Sequence, residues 1–121
     1  MSYREAMRLK NDWPAPINGA AWILATHPDP DARNPEEAVR LAASAAKLTN
    51  NQNPAVLDTL AASYAAAGNF DEAIAAAEMA LERMARIGNQ ELTEAVRARL
   101  ELYRQGRQYV ESKTHIQKPD E

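Results

Sequence analysis

Two alanine-rich runs separated by a single glycine constrain this chain more than any other feature. They occupy Asn53 to Leu81, with Asn53-Pro54 opening the first and Gly68-Asn69-Phe70-Asp71-Glu72 dividing it from the second. Alanine is the best helix former because it loses no side-chain entropy, so both runs are predicted to be helical. Leu57, Leu60, Ala61 and Tyr64 share one face of the first helix. Ala73, Ile74, Ala77, Ala80 and Leu81 share one face of the second, and both sets follow the 3.6-residue period. Asn53 is suited to capping the first helix, and Pro54 to its first turn, where an amide would be unpaired anyway. Gly68 can take the left-handed conformation that ends a helix. Asn69 is expected to cap the next one, with Asp71 and Glu72 favoured by its dipole. The predicted unit is an antiparallel helical hairpin with a very short turn.

The same pattern recurs on either side. Pro14 to His27 is predicted helical, with Ile17, Ala20, Ala21 and Leu24 spaced as Leu57, Leu60, Ala61 and Tyr64 are. A proline-containing loop from His27 to Asn34 follows, and Asn34-Pro35-Glu36-Glu37 opens a helix to about Leu48. In that helix Ala38, Val39, Ala42 and Ala45 correspond to Ala73, Ile74, Ala77 and Ala80. Beyond the central hairpin, its second helix is expected to run to about Ile87. Gly88-Asn89 supplies a stop and a new cap, and a last helix extends from about Gln90 to Gln105. Leu92, Ala95, Val96, Leu100 and Tyr103 lie at helical spacing along it. With a short helix from about Tyr3 to Asn11, the expectation is about six helices in a single domain over residues 1–106. Residues 107–121 are polar and are expected to form a disordered tail.

The central hairpin resembles one tetratricopeptide repeat (TPR). The family has a large apolar residue, Leu, a small residue and Tyr where this chain has Leu57, Leu60, Ala61 and Tyr64. Gly68, Phe70, Asp71-Glu72-Ala73-Ile74 and Ala80-Leu81 also fall at the family's positions. The resemblance extends over about residues 3–106 and is closest over 54–81. It implies an all-α fold, a right-handed solenoid of helical hairpins with two full repeats flanked by half or degenerate ones. Ala6-Met7, followed by Pro14 at the family's spacing, resembles the end of a repeat whose first helix is missing. An apolar edge there, around Met7, Leu9 and Trp13, gives the alternative reading, self-association with a second copy as a homodimer. The segments Ala-Trp-Ile-Leu-Ala-Thr and Leu-Glu-Leu-Tyr-Arg-Gln-Gly are also similar to the C-terminal end of large bacterial TPR proteins. Some of those carry a glycosyltransferase-like or kinase domain, which would make this chain a scaffold segment.

The resemblance further implies a non-catalytic module that binds a protein or peptide partner on a concave face lined by the first helix of each hairpin. Carried onto this chain, that face comprises Asn18, Trp22, Ala25 and Thr26, then Asp58, Ala62, Ala65 and Ala66. Trp22 has two readings, an indole anchor for the partner or core filler beside the small alanines. Chaperone-binding members grip a C-terminal carboxylate with Lys, Arg and Asn. Here only Asn18 fits that chemistry and Asp58 is expected to repel a carboxylate, so a shallow apolar groove for a peptide or helix is the expectation. Arg99 stands where the family has a small residue, which marks the last helix as a polar-faced cap.

Other function classes find little support. The net charge is −3 and no basic patch is evident, which argues against nucleic-acid binding. Cysteine is absent, no apolar run approaches membrane-spanning length, and the start has no signal-peptide core; a soluble chain without membrane insertion is expected. His27 beside Asp29 and Asp31 reads as an ordinary solvated loop rather than a metal cluster, because no second histidine or cysteine has ligand spacing. Glu36-Glu37 and Asp71-Glu72 sit in first helical turns, where the dipole accounts for them. No catalytic constellation or cofactor motif emerges.

Overall fold

In the computed structural model, residues 14–111 are described, and all of their regular structure is helical. The elements are α1 (Pro14–Thr26), a 3-10 turn (Pro30–Ala32), α2 (Pro35–Leu48), α3 (Pro54–Ala66), α4 (Phe70–Ile87) and α5 (Gln90–Arg104). The short helix expected near Tyr3, and the apolar edge at Met7, Leu9 and Trp13, lie outside the described residues.

Helix boundaries follow the local chemistry. The Asn34 carboxamide oxygen accepts the Glu37 amide at 3.2 Å, and that of Asn53 accepts the Ala55 amide at 3.0 Å. Asn89 accepts the Leu92 amide at 3.1 Å. Each thereby satisfies an amide that has no partner inside its helix. Asn69 departs from expectation, since it occupies the N-cap position of α4 without a side-chain cap bond. Gly68, at φ 85°, makes the tight turn between α3 and α4 in a region that disfavours any β-carbon. The connector from α2 to α3 turns through Asn50 and Asn51, both left-handed at φ 59° and 56°. Asparagine tolerates that region better than most residues do, and Arg83 on α4 locks the turn by donating to the Asn51 carbonyl at 3.0 Å.

Consecutive helices pack against each other, and α1 also packs on α3. Helix α3 is therefore central. One side of it joins α1 and α2 through Ile17, Ala21, Leu41, Ala45 and Val56. Another joins α4 and α5 through Leu57, Ala61, Ala77, Met84, Leu100 and Tyr103. Most of the buried apolar residues are alanine. Small side chains let helix backbones approach closely, but each removes little apolar area from water, so stability is spread over many contacts. The buried Thr59 and Ser63 hydroxyls donate to the carbonyls of Ala55 and Thr59, four residues back, which leaves no polar group stranded on this surrounded helix.

A core closed on alanine has no slack for larger side chains. Ala77→Leu, at a fully buried position, is expected to destabilise by about 1–3 kcal/mol through overpacking. Ala75→Leu on the exposed face of the same helix should stay within about 0.5 kcal/mol. Urea melts of the two variants check this.

Candidate functional site

A shallow, open cleft of about 350 Å³ lies between α1 and α3, with Arg99 of α5 at its edge. Asn18, Gly19, Trp22 and Ile23 line it from α1, Ala55, Asp58 and Thr59 from α3, and Arg99 from α5. Residues four apart on a helix share a face, which is why Asn18 aligns with Trp22 and Ala55 with Thr59. Asn18 Oδ1 is shielded from solvent with no hydrogen-bond partner among the described residues.

The electrostatic centre is the pair Asp58–Arg99. Arg99 Nε donates to Asp58 Oδ1 at 3.2 Å and Nη2 to Oδ2 at 2.8 Å. The side chains are only 12% and 8% exposed, so this bidentate fork is largely withdrawn from water. Burial lifts the Asp58 carboxyl above its ordinary value, with the guanidinium pulling the other way. The expectation that Asp58 repels a carboxylate is corrected by this pairing, because the charge is compensated within the fold. Arg99 is more than a polar face on a capping helix. Its guanidinium lies 5.3 Å from the Trp22 ring centroid and 5.0 Å from that of Tyr109, an arrangement in which both ring faces attract the cation.

Tyr109 belongs to a stretch that sequence reasoning assigned to the tail. Gly106, left-handed at φ 73°, turns the chain after α5, and residues 107–111 continue without regular structure back to α1. The Tyr109 ring packs on Trp22 at 5.8 Å between centroids and 40° between planes. The Glu111 amide donates to the Thr26 carbonyl at 2.8 Å, and the Trp22 indole Nε1 donates to the Glu111 carboxylate at 3.1 Å. Arg33, just past the 3-10 turn, donates to the Gln108 side chain at 3.4 Å. Residues 112–121 lie outside the described residues. Burial pushes the Tyr109 hydroxyl up, and the Glu111 carboxylate adds to this. Tyr103, one turn after Arg99 on α5, is 1% exposed with a hydroxyl that has no hydrogen-bond partner among the described residues. Burial, reinforced by the Asp58 carboxylate, pushes its ionisation well above the ordinary tyrosine value.

Of the residues expected on a binding face, Asn18, Trp22 and Asp58 meet in the cleft. Ala25, Thr26, Ala62 and Ala65 are buried. Ala25 and Ala62 meet Ala38 of α2 at the helix crossing, with half-buried Ala66 packed beside them. Alanine at those positions is spent on close helix approach and offers a partner little surface. Thr26 contributes its backbone carbonyl instead, while its hydroxyl donates to the Trp22 carbonyl at 2.7 Å. Trp22 packs against the Ala25–Ala38–Ala62 cluster, as its reading as core filler expects, and also lines the cleft. Arg99, Tyr109 and Glu111 meet Trp22 without any local periodicity that links them to it. In the loop, His27 Nδ1 accepts the Asp29 amide and the Asp29 carboxylate accepts the Asp31 amide, each at 3.0 Å. Those atoms order the turn. Comparison with family models, curated proteins and solved structures finds no match to this chain.

Removing one partner of a withdrawn ion pair leaves the other charge uncompensated. Asp58→Ala is expected to lower stability by about 3–5 kcal/mol in a urea melt, and Asp58→Leu combined with Arg99→Met should recover most of that loss. Because the folded Tyr103 pKa is raised, its contribution is intact below the unfolded value of about 10 and declines as pH rises beyond it. The melting temperature should therefore fall above about pH 10. Tyr103→Phe should flatten that fall while changing neutral-pH stability by less than about 1 kcal/mol, since the hydroxyl has no partner to lose.

Proposed function

We propose that this chain is a non-catalytic protein-interaction module of TPR-type architecture, whose cleft between α1, α3 and α5 holds a segment of a protein partner. One observation carries the reading. The cleft combines an indole, an amide and a charge-compensated guanidinium on facing helices, and beside it the Glu111 carboxylate and the Tyr109 ring already engage that indole and guanidinium. Convergent polar groups beside an aromatic side chain are features of binding sites.

The architectural part rests on the helix order. The hairpins α1–α2 and α3–α4 stack so that their first helices, α1 and α3, are neighbours, and α5 follows in the position of a further first helix. Neighbouring first helices are what the TPR resemblance implies, and their packing supports this reading. A catalytic alternative draws no support from the site, because its carboxylate is held by a bidentate arginine.

Two-dimensional NMR of the full chain against a library of short peptides tests the proposal. Binders should shift the Trp22 indole, the Asn18 carboxamide and the Arg99 side chain together. Trp22→Ala should weaken those binders at least about tenfold, as expected for a hot-spot indole, with the helical circular-dichroism signal retained. Shifts confined to the outer faces of α2 and α4 would contradict it.

A further inference from the structure

Trp22 packs on small side chains, Ala25, Ala38 and Ala62. Alanine supplies apolar area there without branches that would fix how the indole is turned. The last torsion of a tryptophan side chain is broad and roughly two-fold, and a turn from one well to the other carries Nε1–H to the opposite side. The contacts that choose between the wells are therefore the directional ones, and they come from residues that do not line the cleft. The Glu111 carboxylate accepts the indole Nε1–H at 3.1 Å, and the Tyr109 ring packs on the indole at 5.8 Å between centroids. Both residues are themselves held. The Glu111 amide donates to the Thr26 carbonyl at the end of α1, a group that the helix leaves unpaired. Tyr109 packs on the core around Leu57, Met84 and Tyr103 and lies 5.0 Å from the Arg99 guanidinium. No packed interface joins α1 directly to α5, so Tyr109, Glu111 and the Arg99 side chain bridge the two.

We propose that Tyr109 and Glu111 are positioning residues for the cleft, and that by holding the Trp22 N–H outside it they make the indole select an apolar group of the ligand. This rests on the reading of the cleft as a partner site and specifies what Trp22 contributes to that site. An indole has one hydrogen-bond donor and no acceptor. With that donor committed to Glu111, what the ring offers a ligand is carbon. Polar recognition is left to Asn18 and Arg99, which line the same cleft. Arg99 gives two N–H groups to Asp58 and carries further ones on the same fork. The ligand group against Trp22 is then an uncharged aliphatic or aromatic side chain. A carboxylate at that point finds the indole donor already taken and the Glu111 charge beside it.

The test uses the full chain with Trp13→Phe, which leaves Trp22 as the one indole, followed by NMR. Glu111→Ala is the principal variant because it keeps Tyr109 on the core, and Tyr109→Phe is the conservative control because it keeps the ring. In Glu111→Ala the indole N–H should exchange with water about tenfold faster, as expected for loss of one hydrogen bond to a carboxylate. Tyr109→Phe should leave that rate unchanged, and both variants should retain the helical circular-dichroism signal. An indole that keeps its exchange rate and its ring contacts in Glu111→Ala overturns the proposal. Selectivity is read with pairs of short peptides that differ in leucine or aspartate at one position. The unaltered chain should prefer the leucine member, and Glu111→Ala should lose most of that preference because the freed N–H then serves the aspartate. Equal weakening of both members would overturn the selectivity and reduce Glu111 to a structural tie. If no peptide shifts Asn18, Trp22 and Arg99 in any of the chains, the cleft reading falls and the selectivity with it, while the indole exchange rates still decide the positioning.

Discussion

The ion pair between Asp58 and Arg99 holds the groove together. It joins the central helix to the last one, fixes the guanidinium plane, and so sets where the faces of Trp22 and Tyr109 can lie. A lone charge at either position would face the desolvation cost that its partner now offsets. The fork is also the point at which core packing gives way to the cleft. One side of α3 carries Leu57 and Ala61 into the core, and another presents Asp58 and Thr59 to the cleft.

Alanine makes that dual use possible. In a layered array of short helices, every crossing that is filled by alanine brings two backbones close without large side chains to accommodate. The result is a chain with few large buried groups and a central helix enclosed on most sides. The larger side chains then cluster where α1, α3 and α5 leave a shared face: Trp22, Arg99, Tyr103 and Tyr109. In energetic terms the core is made of many small contributions, whereas the groove concentrates a few strong, directional ones.

Much of this was legible in the residues. Helix boundaries from Pro14 to Arg104 follow caps, prolines and glycines that act within a turn or two, and such local rules can be read without the fold. The all-helical class follows from the same signals, whereas Asn18, Trp22 and Asp58 come together on a face that the TPR resemblance implies. What could not be read was long-range. The Asp58–Arg99 pair spans 41 residues and the Trp22–Glu111 bond 89, and no periodicity ties such positions together. Tyr109 and Glu111 stand in a polar run without a repeat, so only the turn at Gly106 shows that the chain doubles back. Ala25, Ala62 and Ala65 illustrate the opposite problem. A small apolar residue on the expected face reads equally well as a groove floor or a helix crossing, and the neighbouring helix decides which.

The central claim is that Trp22 and Tyr109 share a face of the groove with Arg99 between α3 and the C-terminal stretch. Nuclear Overhauser contacts between the Trp22 indole and the Tyr109 ring, measured on the full chain at neutral pH, test it most directly. The account predicts cross-peaks between the two rings and ring-current-shifted Arg99 side-chain protons. Absence of those cross-peaks, with Tyr109 at shifts typical of a free tyrosine, would contradict it.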